Sequence, residues 1–201
     1  MIRLLVAEDQ QLVRGALAAL LGLEPDMRVV AEAGDGAAAV AAAREHRPDV
    51  ALVDIEMPVL SGIEATRELR DAAPATRVLI LTTFGRPGYL RRAMDAGARG
   101  FVVKDAPADQ LVAAVRRVAA GEVVLDPGLA AASLSAGSSP LTDREADVLR
   151  AALPGATIAD IATTLHLSPG TVRNYLSTAI GKVGARNRTE AAHLAQLNGW
   201  L

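Results

Sequence analysis

The sequence contains no cysteine, few aromatic residues and no long apolar run. Without cysteine the chain forms no disulfides, thiolate metal sites or cysteine nucleophiles, a composition that suits the reducing cytoplasm. The small number of aromatic side chains argues against a surface that stacks on nucleic-acid bases. No apolar run approaches the roughly 18 residues of a membrane span, and no basic segment precedes a long apolar one at the N-terminus. The sequence therefore predicts a cytoplasmic protein without membrane contact.

Positive and negative charges are nearly balanced in the sequence. The chain has 21 Lys and Arg residues against 23 Asp and Glu residues, a formal net charge of −2, which argues weakly against a nucleic-acid partner. Hydrophobic residues make up 51% and charged residues 22%, so the chain can fill a core. Its 201 residues have room for one large domain or two small ones.

The first 125 residues alternate short apolar runs with amphipathic segments. The apolar runs are predicted to be buried strands: Ile2–Ala7, Val29–Ala33, Val50–Val53, Val78–Thr82 and Phe101–Val103. The amphipathic segments are predicted to be helices: Gln11–Gly22, Ala37–His46, Gly62–Ala73, Pro87–Ala96 and Pro107–Ala120. Five strand–helix units in series predict an α/β fold with a five-stranded, doubly wound parallel sheet and right-handed crossovers.

The remaining residues predict a linker and a small helical bundle. Gly, Pro and Ser are concentrated between Asp126 and Pro140, where periodicity is lost, and we place a linker at residues 123–139. Four short helices are predicted in residues 140–201, from helix-capping patterns at Thr142, Thr157, Ser168 and Asn187. The chain is thus predicted to contain two domains, at residues 1–122 and 140–201.

Polar residues follow four of the predicted strands. Glu8 and Asp9 end the first strand, Asp54 the third, Thr82 the fourth and Lys104 the fifth. Chemistry in a parallel sheet lies at the carboxyl ends of the strands, where these groups converge. Carboxylates gathered at one edge repel one another, and an oxygen-ligand site with room for water suits Mg²⁺. Together with Lys104 and Thr82 they predict a pocket in which Asp54 carries a phosphoryl group.

Each of these residues also has an ordinary structural explanation. Glu8 and Asp9 can cap a helix, Asp54 can be a turn residue, and a lone lysine is usually solvated. Their joint placement at four strand ends, in the order the topology requires, favours the phosphorylation site.

These segments resemble the receiver domain of bacterial two-component response regulators. The resemblance spans residues 1 to about 122 and is carried by LVAEDQ, ALVDIEMPVLSGIEATRELR, VLILTTF and GFVVKDAPADQL. It implies that Asp54 accepts a phosphoryl group from a phosphohistidine on a sensor histidine kinase. It also implies that Asp9, Asp54 and the Glu56 carbonyl coordinate Mg²⁺, with Glu8 acting through a bound water.

The same resemblance implies a conformational switch. Thr82 is then the switch hydroxyl, Lys104 binds the phosphate, and Phe101 occupies the aromatic position coupled to Thr82. Phe has no hydroxyl to donate, so its reorientation rests on packing alone. Pro58 and Gly62 match the loop after the acceptor.

A competing motif lies after the second strand. Gly34-Asp35-Gly36-Ala37-Ala38-Ala39 fits the glycine-rich fingerprint of dinucleotide-binding proteins, with Asp54 about 20 residues further on. However, Asp35 would place a negative charge against the pyrophosphate, and the second strand lies away from the acidic pocket. A tight turn into an alanine-rich helix is the preferred interpretation.

Residues 158–183 have the spacing of a helix-turn-helix motif. The second helix has an apolar stripe that would turn Arg173, Asn174, Ser177 and Thr178 outward. Arg can bridge guanine and Asn can bridge adenine, so these are candidate base contacts, and Thr157, Thr171, Tyr175 and Lys182 flank them as candidate phosphate contacts. From the pattern alone, a polar face of an ordinary four-helix bundle remains an alternative.

This half of the chain resembles the LuxR-type output domain, from LTDREADVLRAAL to the C-terminus. A receiver followed by this domain is the architecture of the NarL/FixJ response regulators, and TTFGRPGYLRRAMDAGARGF and KDAP further resemble the DesR-like members. The resemblance implies a non-enzymatic regulator that binds double-stranded DNA. Phosphorylation of Asp54 would promote homodimerisation and place two recognition helices on half-sites roughly 34 Å apart.

Two other functions remain open from the residues. An aspartyl-phosphate phosphatase would need an acid two residues after its nucleophile; Glu56 has that position, but no insertion to cover a substrate is present. A phosphorylation-independent DNA-binding regulator would use the receiver as a dimerisation module, which the complete acidic set and Lys104 argue against.

The charge differs between the two halves. Residues 1–139 carry 15 Lys and Arg against 18 Asp and Glu, whereas residues 140–201 carry 6 against 5. The predicted DNA-binding half is thus barely basic, so its affinity for DNA as a single domain should be modest.

Overall fold

The structure is a computed structural model that describes residues 1–83, 87–135, 139–153 and 155–201. Its backbone contacts divide the chain into two compact units, one made mainly of residues 1–130 and the other mainly of residues 131–201. One unit is an α/β domain and the other is helical. Within the described residues, no helix is both long and apolar enough to traverse a lipid bilayer.

The α/β unit is built on one parallel sheet. Its strands are β1 (Ile2–Ala7), β2 (Met27–Ala33), β3 (Val50–Asp54), β4 (Arg77–Thr82), β5 (Gly100–Val103) and β6 (Val124–Leu125). They lie in the order β2-β1-β3-β4-β5-β6, and every neighbouring pair is parallel. The carboxyl ends of β1, β3, β4 and β5 therefore meet at one edge, as predicted.

Helices connect the strands. They are α1 (Gln11–Gly22), α2 (Gly36–His46), α3 (Gly62–Ala72), α4 (Pro87–Ala96) and α5 (Ala108–Ala119). On one face of the sheet, Leu4, Leu52 and Leu79 form a core with Leu21 of α1 and Val115 of α5. Alternate strand residues on the other face, such as Leu5, Val53 and Ile80, are equally buried. Both faces are covered, which explains why the strands are continuously apolar.

The prediction of a five-stranded sheet is corrected by β6. Val124 is buried and its N–H donates to the carbonyl of Arg99 at 2.9 Å, which adds a sixth strand beside β5. A helix, α6 (Pro127–Ser135), follows, and Asp126 accepts a hydrogen bond from the Leu129 N–H at its start. Regular structure thus occupies part of the predicted linker. A two-residue strand gives no periodic signal, and the Gly- and Ser-rich composition hides the helix.

The helical unit contains four helices beyond α6. They are α7 (Asp143–Ala152), α8 (Ile158–Leu165), α9 (Pro169–Val183) and α10 (Arg188–Leu197). Their core includes Val148, Leu149, Ile161, Val172 and Ala191, all at most 1% exposed. The predicted caps at Thr142, Thr157, Ser168 and Asn187 each accept a backbone hydrogen bond from the first turn of their helix. These caps fix where the four helices begin.

Candidate functional site

Three carboxylates meet at the carboxyl edge of the sheet. Glu8 follows β1 and Asp54 ends β3, which is its direct neighbour, so the topology brings them together. One carboxylate oxygen from each of Glu8, Asp9 and Asp54 lies within 4.8 Å of the others. Glu8 and Asp54 are 1% and 5% exposed, whereas Asp9 faces solvent. The cluster is a half-open pocket of negative charge.

Lys104 bridges the two buried carboxylates. Its Nζ lies 2.6 Å from Glu8 Oε2 and 3.1 Å from Asp54 Oδ2. The other oxygen of Asp54 accepts the N–H of Ile55 at 2.9 Å, and Glu8 Oε1 accepts the N–H of Gln10 at 3.3 Å. One ammonium therefore forms ion pairs with two carboxylates, which leaves a net negative charge in the pocket.

The pKa values of this group follow from burial and charge. Burial raises the pKa of the Asp54 carboxyl, and the negative charge of Glu8 adds to this, against the attraction of Lys104. Burial opposes the charge of Lys104, but its hydrogen bonds to Glu8 and Asp54 prevail and raise the pKa of that ammonium. Lys104 therefore stays protonated, and its charge only partly neutralises the Asp54 carboxylate.

The residues present fit a hard divalent cation. The donors are all carboxylate oxygens, and the one exposed member, Asp9, leaves room for water ligands, which Mg²⁺ keeps in most proteins. Glu56, the fourth predicted ligand, lies two residues beyond Asp54 with its side chain exposed. The charge imbalance around Asp54 supplies the physical reason for a cation here.

The loop after Asp54 is shaped by a glycine and a helix cap. A Cβ at Gly62 would overlap the carbonyl oxygen of Asp54, so a residue without a side chain is required there. The Gly62 N–H donates to the carbonyl of Ile55 at 2.9 Å. Ser61 and Glu64 form a capping box that starts α3. The loop therefore folds back tightly against the end of β3.

Thr82 and Phe101 lie on the two strands beside the pocket. Each is 1% exposed, and Phe101 pairs with Ile80 across β4 and β5. The Lys104 N–H donates to the carbonyl of Thr82 at 2.7 Å, so the strand that carries the hydroxyl also anchors the lysine. A cavity of about 340 Å³ is lined by Phe101, Ala114 and the segment Val124–Pro127.

The glycine-rich motif after β2 forms no phosphate-binding loop in the structure. Asp35 is the N-cap of α2, and its carboxylate accepts the Ala38 N–H at 2.7 Å. The carboxylate therefore occupies a backbone donor at the helix start that a pyrophosphate would need. This agrees with the interpretation as a tight turn.

Helices α8 and α9 form the predicted helix-turn-helix. His166 ends α8 in the left-handed region, with φ 53°, and Ser168 caps α9 with Pro169 at its first position. Val172, Leu176 and Ala179 are buried against the rest of the unit. Arg173, Asn174, Ser177 and Thr178 are exposed, as the apolar stripe predicted.

The candidate DNA contacts differ in whether their side chains already have a hydrogen-bond partner within the helical unit. The Thr157 hydroxyl donates to Asp160 at 2.6 Å, and the Thr171 hydroxyl lies 2.8 Å from that of Ser168. Thr178 donates to the carbonyl of Asn174, and Tyr175 is half-buried against the core. In the described part of the chain, the side chains of Arg173, Asn174 and Ser177 have no such partner. These three are best placed to contact another molecule.

Lys182 has an internal partner that sequence reasoning missed. Its ammonium donates to the carboxylate of Glu145 on α7 at 2.8 Å, and Glu145 is 4% exposed. Burial raises the pKa of Glu145, but the hydrogen bonds from Lys182 and Thr142 outweigh it and hold that pKa below its ordinary value. Nothing in the spacing of residues 145 and 182 signals this contact.

Arg14 is a second contact that the sequence did not reveal. Its guanidinium donates to the backbone carbonyl of Glu8 at 2.6 Å and lies 3.6 Å from the Glu32 carboxylate. The arginine therefore supports the loop between β1 and α1 from behind the pocket. An arginine on an amphipathic helix is too common a feature to have predicted this contact.

Both units of the chain match known protein families. Residues 4–116 match the response regulator receiver domain, and residues 139–195 match the bacterial regulatory proteins of the luxR family. This pairing, on a fold with an acidic strand edge and a helix-turn-helix, defines a two-component response regulator with a DNA-binding output domain.

Relatives share this organisation over the full chain. The transcriptional regulatory proteins YvfU and DesR of Bacillus subtilis (strain 168) are 47% and 43% identical over 201 residues, 100% of both chains in each case. A crystal structure of the response regulator ChrA, from a heme-sensing two-component system, is 34% identical with a TM-score of 0.60, covering 100% of this chain and 98% of that one. The chain belongs to the NarL/LuxR family of response regulators.

Proposed function

We propose that the chain is a cytoplasmic regulator whose DNA binding is switched by phosphorylation of Asp54 from a cognate sensor histidine kinase. The observation that carries this proposal is the pocket in which Lys104 bridges Asp54 and Glu8, on the same chain as a helix-turn-helix. Membership of the response-regulator family supports it.

Asp54 is the nucleophile of the transfer. One oxygen is held by the Ile55 N–H, and the other faces Lys104. A bond forms from a carboxylate oxygen to phosphorus as the phosphorus–nitrogen bond of the donor histidine breaks, and the electron pair leaves with the imidazole. Lys104 and Thr82 then bind phosphoryl oxygens.

The acidic residues would hold the cation that this transfer needs. Asp9, Asp54 and the carbonyl of Glu56 would hold Mg²⁺, with Glu8 acting through a water. When bound, the ion neutralises charge on the phosphoryl oxygens. The chain's own contribution is to keep Asp54 oriented by Ile55 and to keep Lys104 charged beside it.

Thr82 and Phe101 transmit the change. Movement of the Thr82 hydroxyl toward the phosphoryl group opens space in the core beside β5. The Phe101 ring lines a cavity that also contacts Val124 and Leu125 of β6, so it has room to repack. Since phenylalanine has no hydroxyl, packing alone sets the position of the ring.

The output is DNA binding by α9. Arg173, Asn174, Ser177 and Thr178 contact base edges in the major groove, and Thr157, Thr171, Tyr175 and Lys182 lie beside the phosphates. Phosphorylation promotes homodimerisation, which places two copies of α9 on adjacent half-sites. Pairing two modest sites raises affinity through effective concentration.

Phosphorylation and association are tested together on the full chain. Incubation with Mg²⁺ and a small phosphoryl donor should add one phosphoryl group by mass spectrometry and shift sedimentation from monomer to dimer. Asp54→Asn, which keeps the size of the side chain, should do neither. A donor-driven dimer that persists in Asp54→Asn would refute the proposed switch.

A further inference from the structure

The turn between β2 and α2, residues Gly34-Asp35-Gly36, lies beside the guanidinium of Arg14, which donates to the loop after β1, and against Leu60 in the loop after β3. It follows Ala33, whose carbonyl accepts the Glu8 N–H at 3.0 Å. This places the turn at the same edge of the sheet as the phosphoacceptor pocket. The motif is neither a nucleotide fingerprint here nor one of the acidic ligands, yet it contains two glycines in three residues.

Its first neighbour is Arg14 of α1, whose side chain reaches the loop after β1. The guanidinium of Arg14 donates to the Glu8 carbonyl, and a Cβ built at Gly34 would lie 3.3 Å from Arg14 Nη1. The guanidinium therefore lies next to Gly34 while it donates to the backbone of Glu8. A side chain at Gly34 would press on the group that supports Glu8.

Its second contact is with the loop after β3. A Cβ at Gly36 would lie 2.9 Å from the carbonyl carbon of Leu60 and would overlap the carbonyl oxygen. Both partners are backbone, so no side-chain rotation relieves this clash. Leu60 is fixed in turn by its N–H, which donates to the Pro58 carbonyl at 2.7 Å. The Leu60 end of the loop after β3 thus packs directly against the start of α2.

From these contacts we infer that the β2–α2 turn is a positioning element for the cation and phosphoryl site. It holds the Glu8 loop through Arg14 and the Glu56 loop through Gly36, without contacting the cation itself. The inference rests on the proposed function of the pocket. Loss of such outer support typically weakens metal binding by 10- to 100-fold, because the ligands lose their shared geometry.

The test compares Gly36→Ala with Gly15→Ala on the full chain. Gly15 lies on α1 with nothing within 4 Å of a Cβ, so it controls for a glycine replaced in the same unit. Titration with Mg²⁺ alone in a calorimeter should show a dissociation constant raised about 10-fold by Gly36→Ala. Gly15→Ala should bind like the wild type.

Phosphorylation by a small donor separates positioning from simple loss of fold. For Gly36→Ala the Mg²⁺ concentration that gives half the maximal rate should rise, while the rate at saturating Mg²⁺ stays near that of wild type. A purely structural defect would instead lower the maximal rate at an unchanged half-saturating concentration. That pattern would overturn the inference.

Arg14→Gln tests the same positioning role if Gly36→Ala fails to fold. It removes the donor to the Glu8 carbonyl from a side chain that is 20% exposed, and it should also raise the Mg²⁺ dissociation constant several-fold. Wild-type Mg²⁺ affinity in a folded Arg14→Gln, or in Gly36→Ala, would refute the positioning role. Absence of Mg²⁺ binding by the wild-type chain would refute the proposed function itself, and with it this inference.

Discussion

Two buried carboxylates share a single lysine at the acidic edge of the sheet. Lys104 contacts both Glu8 and Asp54, so neither anion is fully neutralised. Burial makes this shortage of positive charge costly, and it raises the pKa of the Asp54 carboxyl. The same shortage makes the pocket receptive to a cation, and the surrounding backbone keeps the carboxylates from moving apart.

Val59 is the most strained residue near this pocket. Its φ of 67° lies in the left-handed region, which a β-branched side chain rarely adopts, and its side chain is 84% exposed. Val59→Gly removes this strain, and almost no buried apolar surface is lost because the side chain is exposed. We expect the free energy of unfolding to rise by about 1 kcal/mol, since the relieved strain exceeds the entropy that glycine adds to the unfolded chain. Calorimetric unfolding of the full chain measures it.

Val123→Gly is the matched control. Val123 is 45% exposed and has an ordinary negative φ, so glycine there brings only the entropic penalty. It should lower the free energy of unfolding. If Val59→Gly lowers it by a similar amount, the strain at Val59 is not real.

The sequence was enough to predict which residues gather at the site, but it was not enough to predict the contacts that support them. Glu8, Asp54, Thr82 and Lys104 were predictable because strand order alone brings strand ends together. The contacts of Arg14 and Gly36 were not, because they depend on the path of a long side chain and on backbone spacing of a few tenths of an ångström. The roles of the site residues stay predictions.

Between elements, one ion pair ties α7 to α9. The Glu145 carboxylate is buried and accepts from both Lys182 and the Thr142 N–H. Lys182→Met leaves this carboxylate without its cation. The free energy of unfolding of the helical unit should fall by about 2 kcal/mol, less than for a fully enclosed pair because the Lys182 side chain is 35% exposed. Fluorescence of Trp200, the one tryptophan, reports on this unit.

The same pair predicts a dependence on pH. The pKa of Glu145 in the fold lies below its ordinary value of 4.5. Its contribution is therefore present above that ordinary pKa and is lost as the pH falls through the folded-state pKa. The difference in stability between wild type and Lys182→Met should shrink in acid. A difference that stays constant from neutral pH into acid would contradict the assignment.

We expect DNA recognition by α9 to depend most on Arg173. Of the six Lys and Arg residues after residue 139, the other five each have an internal ion pair or hydrogen bond: Arg144, Arg150, Lys182, Arg186 and Arg188. Arg173→Ala should weaken binding to DNA selected from random duplexes by about 1–3 kcal/mol and relax the preference at one base pair. Fluorescence anisotropy with single-base variants of that DNA measures both effects.

Arg144→Ala removes the same charge from α7 and serves as the control. Its guanidinium lies 3.9 Å from Asp147, and Arg144 is not among the predicted DNA contacts, so its loss should leave base preference unchanged. Equal losses from both substitutions, with base preference intact, would show that Arg173 contributes charge alone.

Elements were predictable where periodicity is long. The bounds of α1 and α4 match the predicted ones because their apolar spacing is regular. Helices α8 and α9 begin directly after the predicted caps Thr157 and Ser168. The sixth strand and α6 were missed, since two residues carry no period and alanine-rich helices with serine resemble linkers. Tertiary pairing with β5, rather than local sequence, makes β6 a strand.

Across the whole molecule, charge is divided unevenly. The net charge is −3 over residues 1–139 and +1 over residues 140–201. With most of its cations already paired internally, one helical unit has little electrostatic attraction for DNA. Under the proposed function, specific contacts and the pairing of two chains supply the affinity, so a switch that controls dimerisation would control DNA binding.

The most direct test of this account is the DNA affinity of the full chain before and after phosphorylation. Duplexes selected with the phosphorylated protein provide the probe, and footprinting on them locates the half-sites. We predict that phosphorylation raises affinity at least 10-fold in wild type and leaves Asp54→Asn unchanged, with two protected half-sites about one DNA turn apart. Equal affinity of phosphorylated wild type, unphosphorylated wild type and Asp54→Ala would contradict the account and favour a regulator that works without phosphorylation.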